Sequence, residues 1–176
     1  MKSDPHLLKT PTTAHRDRLP AGSSASLDAD PAPCELITFR RKPDTLDTDS
    51  LEEFAEVLRR RVLRGREFHC LITGDAELKR LNGQFRGKDV PTDVLSFPQE
   101  DDGGYVGDLA ISLGRARAQA KQFGHSIETE IRVLMLHGAL HLKGLDHETD
   151  SGQMARTETK WRKEFALPAG LVERTT

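Results

Sequence analysis

The sequence IRVLMLHGALHLKGLDH, from Ile131 to His147, joins an apolar helix to a cluster of histidines. Its first six residues are almost wholly apolar, which predicts that this helix lies in the hydrophobic core. His137 and His141 are four positions apart, so on a helix both imidazoles lie on one face and can reach one ion. Gly144 can adopt a positive φ angle and end the helix, after which the chain turns back and presents His147.

The pattern formed by His137, His141 and His147 indicates a shared metal ion. A single histidine beside an apolar face is usually a hydrogen-bonded core residue. Here three of the seven histidines in the chain fall within one short segment, and burying three imidazoles without a shared partner is costly. No cysteine lies nearby to complete a structural site, and three neutral ligands leave a position for water, as in catalytic zinc sites. We therefore predict one Zn²⁺ ion that lowers the pKa of its water and attracts an anionic substrate.

The same spacing, His-x3-His-x5-His, occurs in the metzincin peptidases, where a glutamate after the first histidine acts as general base. Gly138 occupies that position here and has no side chain. A peptidase of this type would lack its base, so the glycine argues against proteolysis. Asp146 and Glu148 flank the third histidine, and two roles are open to them: orienting the ligand imidazoles or lying in solvent.

The rest of the sequence predicts a single α+β domain that follows a disordered tail. Residues 1–33 are rich in Pro, Ser, Thr, Ala and Asp without an apolar period, so they cannot offset their ordering entropy. We assign residues 34–176 to the folded domain. Its pattern predicts a strand, a helix, a strand, a helix, two strands and three helices, which gives a mixed four-stranded sheet covered by helices. Ser50 and Ser126 are the expected helix caps.

Composition excludes several classes of function. A net charge of −2 and a pI of about 6.4 exclude nucleic-acid binding through bulk positive charge. No apolar run is long enough to span a bilayer, and charged residues interrupt the N-terminal segment where a signal peptide would need an apolar core. We therefore expect a cytoplasmic protein without a membrane partner, in which Cys34 and Cys70 are buried, reduced thiols.

Local positive charge leaves two interpretations open. The arginines at positions 59–61, 64 and 66 could contact a polyanion, or they could form a solvated helix face. We favour the second interpretation, in which the acidic partners are Glu52, Glu53 and Glu56.

A second motif, LNGQFRGKDVPTDVLSFP, runs from Leu81 to Pro98. It combines a helix end, a polar turn and a short β-prone run. Arg86 can bind a phosphate through two hydrogen bonds, and Lys88 can do so as a point charge. Alternatively, Arg86 pairs with Asp89 or Asp93 and holds the turn.

Together with residues 107–112, the two motifs resemble the YbeY family of bacterial endoribonucleases, also called rRNA maturation factors. The resemblance covers about residues 35–165, and Leu145 stands where the family usually has an aromatic residue. The histidine signature is matched by His137, Gly138, Leu140, His141, Leu142, Gly144, Asp146 and His147, and the other motif by Asn82, Arg86, Lys88, Asp89 and residues 92–98.

The resemblance implies a single-strand-specific, zinc-dependent endoribonuclease that matures the 3′ end of small-subunit ribosomal RNA and acts in ribosome quality control. Its partners would be ribosomal RNA and the small ribosomal subunit, without DNA. His137, His141 and His147 would be the zinc ligands, and Arg86 the catalytic arginine. Two alternatives are a non-catalytic ribosome-assembly factor with a structural metal and, third, a metzincin-like peptidase.

Overall fold

The computed structural model describes residues 35–41, 43–100 and 104–170. The expected tail at residues 1–33 and the thiol of Cys34 lie outside these ranges. The elements in chain order are β1 (Ile37–Phe39), α1 (Thr48–Val57) continued by a π-helical segment (Leu58–Val62), β2 (Glu67–Thr73), α2 (Asp75–Arg86), β3 (Val94–Pro98), β4 (Tyr105–Ser112), α3 (Leu113–Phe123), α4 (Ile127–Leu142) and α5 (Gln153–Glu164).

The four strands form one mixed sheet in the order β1-β2-β4-β3. Strand β2 is parallel to β1 and β4, whereas β3 runs antiparallel to β4. This arrangement confirms the predicted α+β fold with a mixed four-stranded sheet and helices packed on it. Within the described ranges, no helix has the length and apolar composition needed to cross a bilayer.

Helix α4 lies at the centre of the described fold. It packs against β3 and β4 and against α1, α3 and α5, and its residues from Glu130 to Leu142 are buried except Arg132 and His141. Ser126 caps it as predicted, since the Ser126 side chain accepts a hydrogen bond from the backbone N–H of Thr129 at 3.1 Å. The apolar run in the sequence therefore places the first histidine motif inside the core.

The predicted cap of α1 was wrong. The helix begins at Thr48, and the carboxylate of Asp47 accepts the backbone N–H of Ser50 at 3.1 Å. Asp47 thus satisfies a free donor of the first turn, the role that the sequence had suggested for Ser50.

The arginines on the first helix mostly form ion pairs. Arg59 and Arg60 both pair with Glu56, and these hydrogen bonds, led by that from Arg59, lower the pKa of Glu56 to about 2. Arg61 pairs with Glu164 at the end of α5. The prediction that Glu52 pairs with these arginines was wrong, because the Glu52 carboxylate instead accepts the backbone N–H of Ile37 at 2.9 Å.

The cysteine prediction is confirmed for the described thiol. Cys70 is completely buried on β2 and forms no disulfide. Burial raises the pKa of its thiol well above the ordinary value, so the group stays protonated and inert.

We predict that Gly107→Ala destabilises the protein by about 2–5 kcal/mol, because two penalties combine. Gly107 has a φ of 132°, and a Cβ atom there would lie 2.2 Å from the backbone oxygen of Phe97 on β3. Gly83→Ala is the matched control, since a Cβ at this α2 position has no neighbour within 4 Å. It should stabilise the helix by roughly 0.5–1 kcal/mol. Urea unfolding measures both changes, and equal stabilities for the two variants would contradict this account.

Candidate metal centre

His137, His141 and His147 converge at the C-terminal end of α4, and one candidate ligand atom from each lies within 4.8 Å of the other two. The Nε2 atoms of His137 and His141 are 3.2 Å apart. A tetrahedral zinc with Zn–N bonds of about 2.0–2.1 Å places two ligand nitrogens about 3.3–3.4 Å apart. The spacing therefore fits two imidazoles that share one ion.

The turn after α4 brings the third histidine back to the first two. Gly144 adopts a φ of 92° and allows the chain to reverse. The Asp146 carboxylate then accepts the backbone N–H of Glu148 at 3.1 Å and the hydroxyl of Thr149 at 3.0 Å. These hydrogen bonds hold the pKa of Asp146 below its usual range. Asp146 therefore stabilises the turn that carries His147, while Glu148 is exposed at the cleft.

Glu158 of α5 is the site residue that the sequence analysis missed. Its carboxylate is 1% exposed and lies 2.9 Å from Nδ1 of His137. A carboxylate that accepts the Nδ1–H leaves the Nε2 lone pair directed at the metal position. A signal was present in the sequence, because Glu158 interrupts the helical stripe formed by Met154, Trp161 and Phe165.

The C-terminal segment lies close against this carboxylate. A Cβ atom at Gly170 would lie 2.4 Å from Oε2 of Glu158, so the glycine allows the chain to cover the buried acid. Because the C-terminal segment covers Glu158, water has less access to its carboxylate, and the interaction with the His137 imidazole is stronger.

Gly138 allows close packing of α4 on the sheet. A Cβ atom at this position would lie 2.7 Å from Cδ2 of the buried Leu109 on β4, and the Ser96 hydroxyl of β3 donates to the Gly138 carbonyl at 3.3 Å. A glutamate at position 138 would have to displace Leu109. The glycine at the metzincin general-base position is therefore explained by helix–sheet packing.

The three histidines open onto a cleft of about 1080 Å³ that Arg86 also lines. Arg86 is the last residue of α2, and Gly87 ends that helix in the left-handed conformation. The two proposed structural partners of Arg86 are occupied elsewhere. Asp89 lies 3.4 Å from Lys79, and Asp93 accepts hydrogen bonds from the Val94 N–H and the Gln119 amide. In the described part of the chain, the guanidinium of Arg86 has no ion pair or hydrogen bond.

Burial and charge keep His141 neutral. Desolvation is the main reason that the pKa of His141 falls from 6.5 to about 4, and the neighbouring imidazoles of His137 and His147 lower it further. At neutral pH the ring therefore carries a free lone pair, as a metal ligand requires.

Positive charge gathers near this helix end. Burial, followed by the charges of Arg64, Arg66 and Lys160, lowers the pKa of Lys143, which caps α4. The polyanion interpretation of the arginine cluster thus stays open for Arg64, while Nε of Arg66 donates a hydrogen bond to the Leu63 carbonyl at 3.1 Å.

Comparison with known proteins points to one family. The family model described as "Endoribonuclease YbeY" matches residues 37–166. The chain is 60% identical over 138 residues to Endoribonuclease YbeY of Solibacter usitatus, an alignment that covers 78% of this chain and 92% of that protein. It is 47% identical over 141 residues to Endoribonuclease YbeY of Nautilia profundicola, with 79% and 98% covered.

A solved structure supports the same fold. The solution structure of TM1509 from Thermotoga maritima superposes with a TM-score of 0.50 at 27% sequence identity. The superposition covers 74% of this chain and 91% of TM1509.

We predict that Glu158→Gln weakens Zn²⁺ binding about 10–100-fold, the range for loss of a group that orients a metal-bound histidine. The substitution keeps the shape of the side chain but removes the charge facing Nδ1 of His137. Zinc affinity is measured by competition with a chromophoric chelator. The matched control, Glu164→Gln, changes an acid at the end of the same helix, away from the histidines, and should leave affinity unchanged. Equal affinities for both variants would remove Glu158 from the site.

We also predict that the metal-free protein loses stability as the pH falls from about 6.5 to 4. The unfolded chain protonates His141 near the ordinary pKa of 6.5, whereas the folded chain does so only near 4. The unfolded state holds more protons in this window, so lowering the pH favours unfolding. Urea unfolding across the window should give a shallower pH dependence for His141→Gln than for wild type. A His141→Gln slope equal to that of wild type would show that another group causes the effect.

Proposed function

Since the chain belongs to the YbeY family of endoribonucleases, we propose that it cuts single-stranded RNA internally with the help of one zinc ion held by His137, His141 and His147. The observation that carries the proposal is the cleft shared by three convergent histidines and by Arg86, whose guanidinium has no partner among the described residues. We extend the proposal to maturation of the 3′ end of small-subunit ribosomal RNA and to ribosome quality control in the cytoplasm, as the resemblance of the two motifs implies.

The chemistry suits a phosphodiester. Zinc bound at this position would polarise a phosphoryl oxygen and activate water for attack. The guanidinium of Arg86 can engage two phosphate oxygens and stabilise the negative charge that develops on them during cleavage. Because Arg86 is at the end of a helix and has no carboxylate partner in the described chain, its charge is available to substrate.

The first alternative, an assembly factor with a structural metal, fits the site less well. A structural zinc is normally closed by four protein ligands. In the described residues, the histidine cluster gains no fourth His, Cys, Asp or Glu ligand, and the cleft leaves the centre accessible. The peptidase alternative is disfavoured by the packing around Gly138.

The proposal predicts internal cleavage of single-stranded RNA by the zinc-loaded protein, slow without ribosomal context. A chelator should abolish cleavage, the His141→Ala protein should be inactive, and casein should survive the same incubation. RNA that stays intact under all conditions while zinc is bound would favour the assembly factor. Chelator-sensitive proteolysis would favour the peptidase.

We predict that Arg86→Ala lowers the cleavage rate about 10²–10³-fold, the range for removing one preorganised donor. Arg86→Lys should recover only part of the rate, because lysine offers a single compact charge. Zinc content and melting temperature should stay at wild-type values, since Arg86 supports neither the ligand set nor the turn. Arg117→Ala, which removes an exposed arginine from α3 outside the cleft, is the control and should cleave normally. An Arg86→Ala protein whose loss of activity follows a loss of folded protein would contradict the catalytic role.

A further inference from the structure

Exposed aromatic rings line the cleft. Three large apolar side chains are exposed within the described residues: Phe85 at 60%, Val90 at 55% and Phe123 at 44%. Both phenylalanines line the cleft that contains the histidines, whereas Val90 does not. Exposed apolar groups that gather at one site indicate a binding surface.

Each ring also contacts the protein. Phe85 meets Phe97 of β3 edge to face, with centroids 5.1 Å apart and planes at 69°. Phe97 itself packs against the small buried cluster of Leu78, Leu95 and Ala110. Phe123 lies nearly parallel to His125, at 6.3 Å and 11°. The rings are thus anchored while much of their surface faces solvent.

Polar groups next to the rings match the other parts of a nucleotide. Arg86 follows Phe85 directly and can bind a phosphate. Gln119 lies four positions before Phe123, on the same face of α3, and its buried Oε1 atom has no hydrogen-bond partner in the described chain. Gln122 also lines the cleft. Amide groups of this kind can donate to and accept from the edges of bases.

From this arrangement we propose that Phe85 and Phe123 are stacking platforms for unpaired nucleobases of the RNA strand that enters the metal cleft. The inference rests on the proposed function, since it takes single-stranded RNA as the occupant. A phenyl ring stacks on any base and therefore tolerates sequence variation. Bases in a duplex are already stacked on their neighbours, so the platforms favour single strands.

The test measures binding of two fluorescein-labelled oligomers to the zinc-loaded protein by anisotropy. One is a single-stranded 2′-O-methyl oligonucleotide, checked by gel for integrity after titration, and the other is a base-free abasic oligomer of equal length. Phe85→Ala and Phe123→Ala should each weaken binding of the base-bearing oligomer about 5–150-fold, the range for loss of one stacking contact. Binding of the abasic oligomer should not change.

Controls separate stacking from other effects. Phe85→Leu keeps an apolar side chain without a ring and should still bind weakly, whereas Phe85→Trp should restore binding. Val90→Ala removes the exposed apolar residue outside the cleft and should bind like wild type. Unchanged affinity in both alanine variants, or equal losses for the two oligomers, would overturn the proposal and would point to a protein partner or to a phosphate-only cleft.

The outcome is independent of the cleavage assay. Loss of base-dependent binding in the phenylalanine variants supports stacking even if the wild-type protein cuts no RNA. The absence of cleavage would overturn the endoribonuclease proposal alone. Chelator-sensitive cleavage together with unchanged binding in these variants would overturn stacking alone.

Discussion

Close packing between α4 and the sheet at Gly138 governs the geometry of the site. With no side chain at this position, the helix approaches Leu109 and receives a hydrogen bond from Ser96. The neighbouring His137 is consequently buried, and a buried imidazole requires a polar partner. Glu158 supplies that partner on one ring nitrogen, and the other nitrogen faces His141. The packing that excludes a metzincin-type glutamate thus also creates the need for the buried acid.

The same burial determines the protonation state of the cluster. A desolvated imidazole resists a positive charge, which keeps His141 neutral over the physiological range. Because neutral imidazoles carry no negative charge, a divalent ion bound to them would keep its full double positive charge. If such an ion binds, Glu158 would offset part of its charge from the buried side, through His137, while the cleft side would stay open to an anion.

Local signals in the sequence were enough to predict most elements. Gly87 and Gly124 end α2 and α3 in the left-handed conformation, and Ser126 starts α4. The histidine cluster was predictable because its members lie on one helix and one adjoining turn. The capping role of Asp47 was missed because Ser50 is an equally good cap by residue type. Which of the two caps α1 depends on the residue at which the helix begins.

The role of Glu158 was not predictable from local patterns. It reaches His137 from a different helix, 21 positions along the chain, and only the packing of α5 on α4 brings the two together. The availability of Arg86 also depends on tertiary contacts. Asp89 and Asp93 are near it in sequence, yet Lys79 pairs with the first, and the Val94 N–H and the Gln119 amide occupy the second.

Three helices end at the cleft, and this has an electrostatic consequence. Residues from the last turns of α2, α3 and α4 line it, so the partial negative charges of three helix C-termini lie nearby. By themselves, these partial charges favour a cation and oppose a phosphate chain. A metal ion on the histidines, together with Arg86, would reverse the sign of the local field. Under the proposed function, a bound ion would therefore do more than polarise the phosphoryl group, because Arg86 is the only Lys or Arg among the described residues that line the cleft.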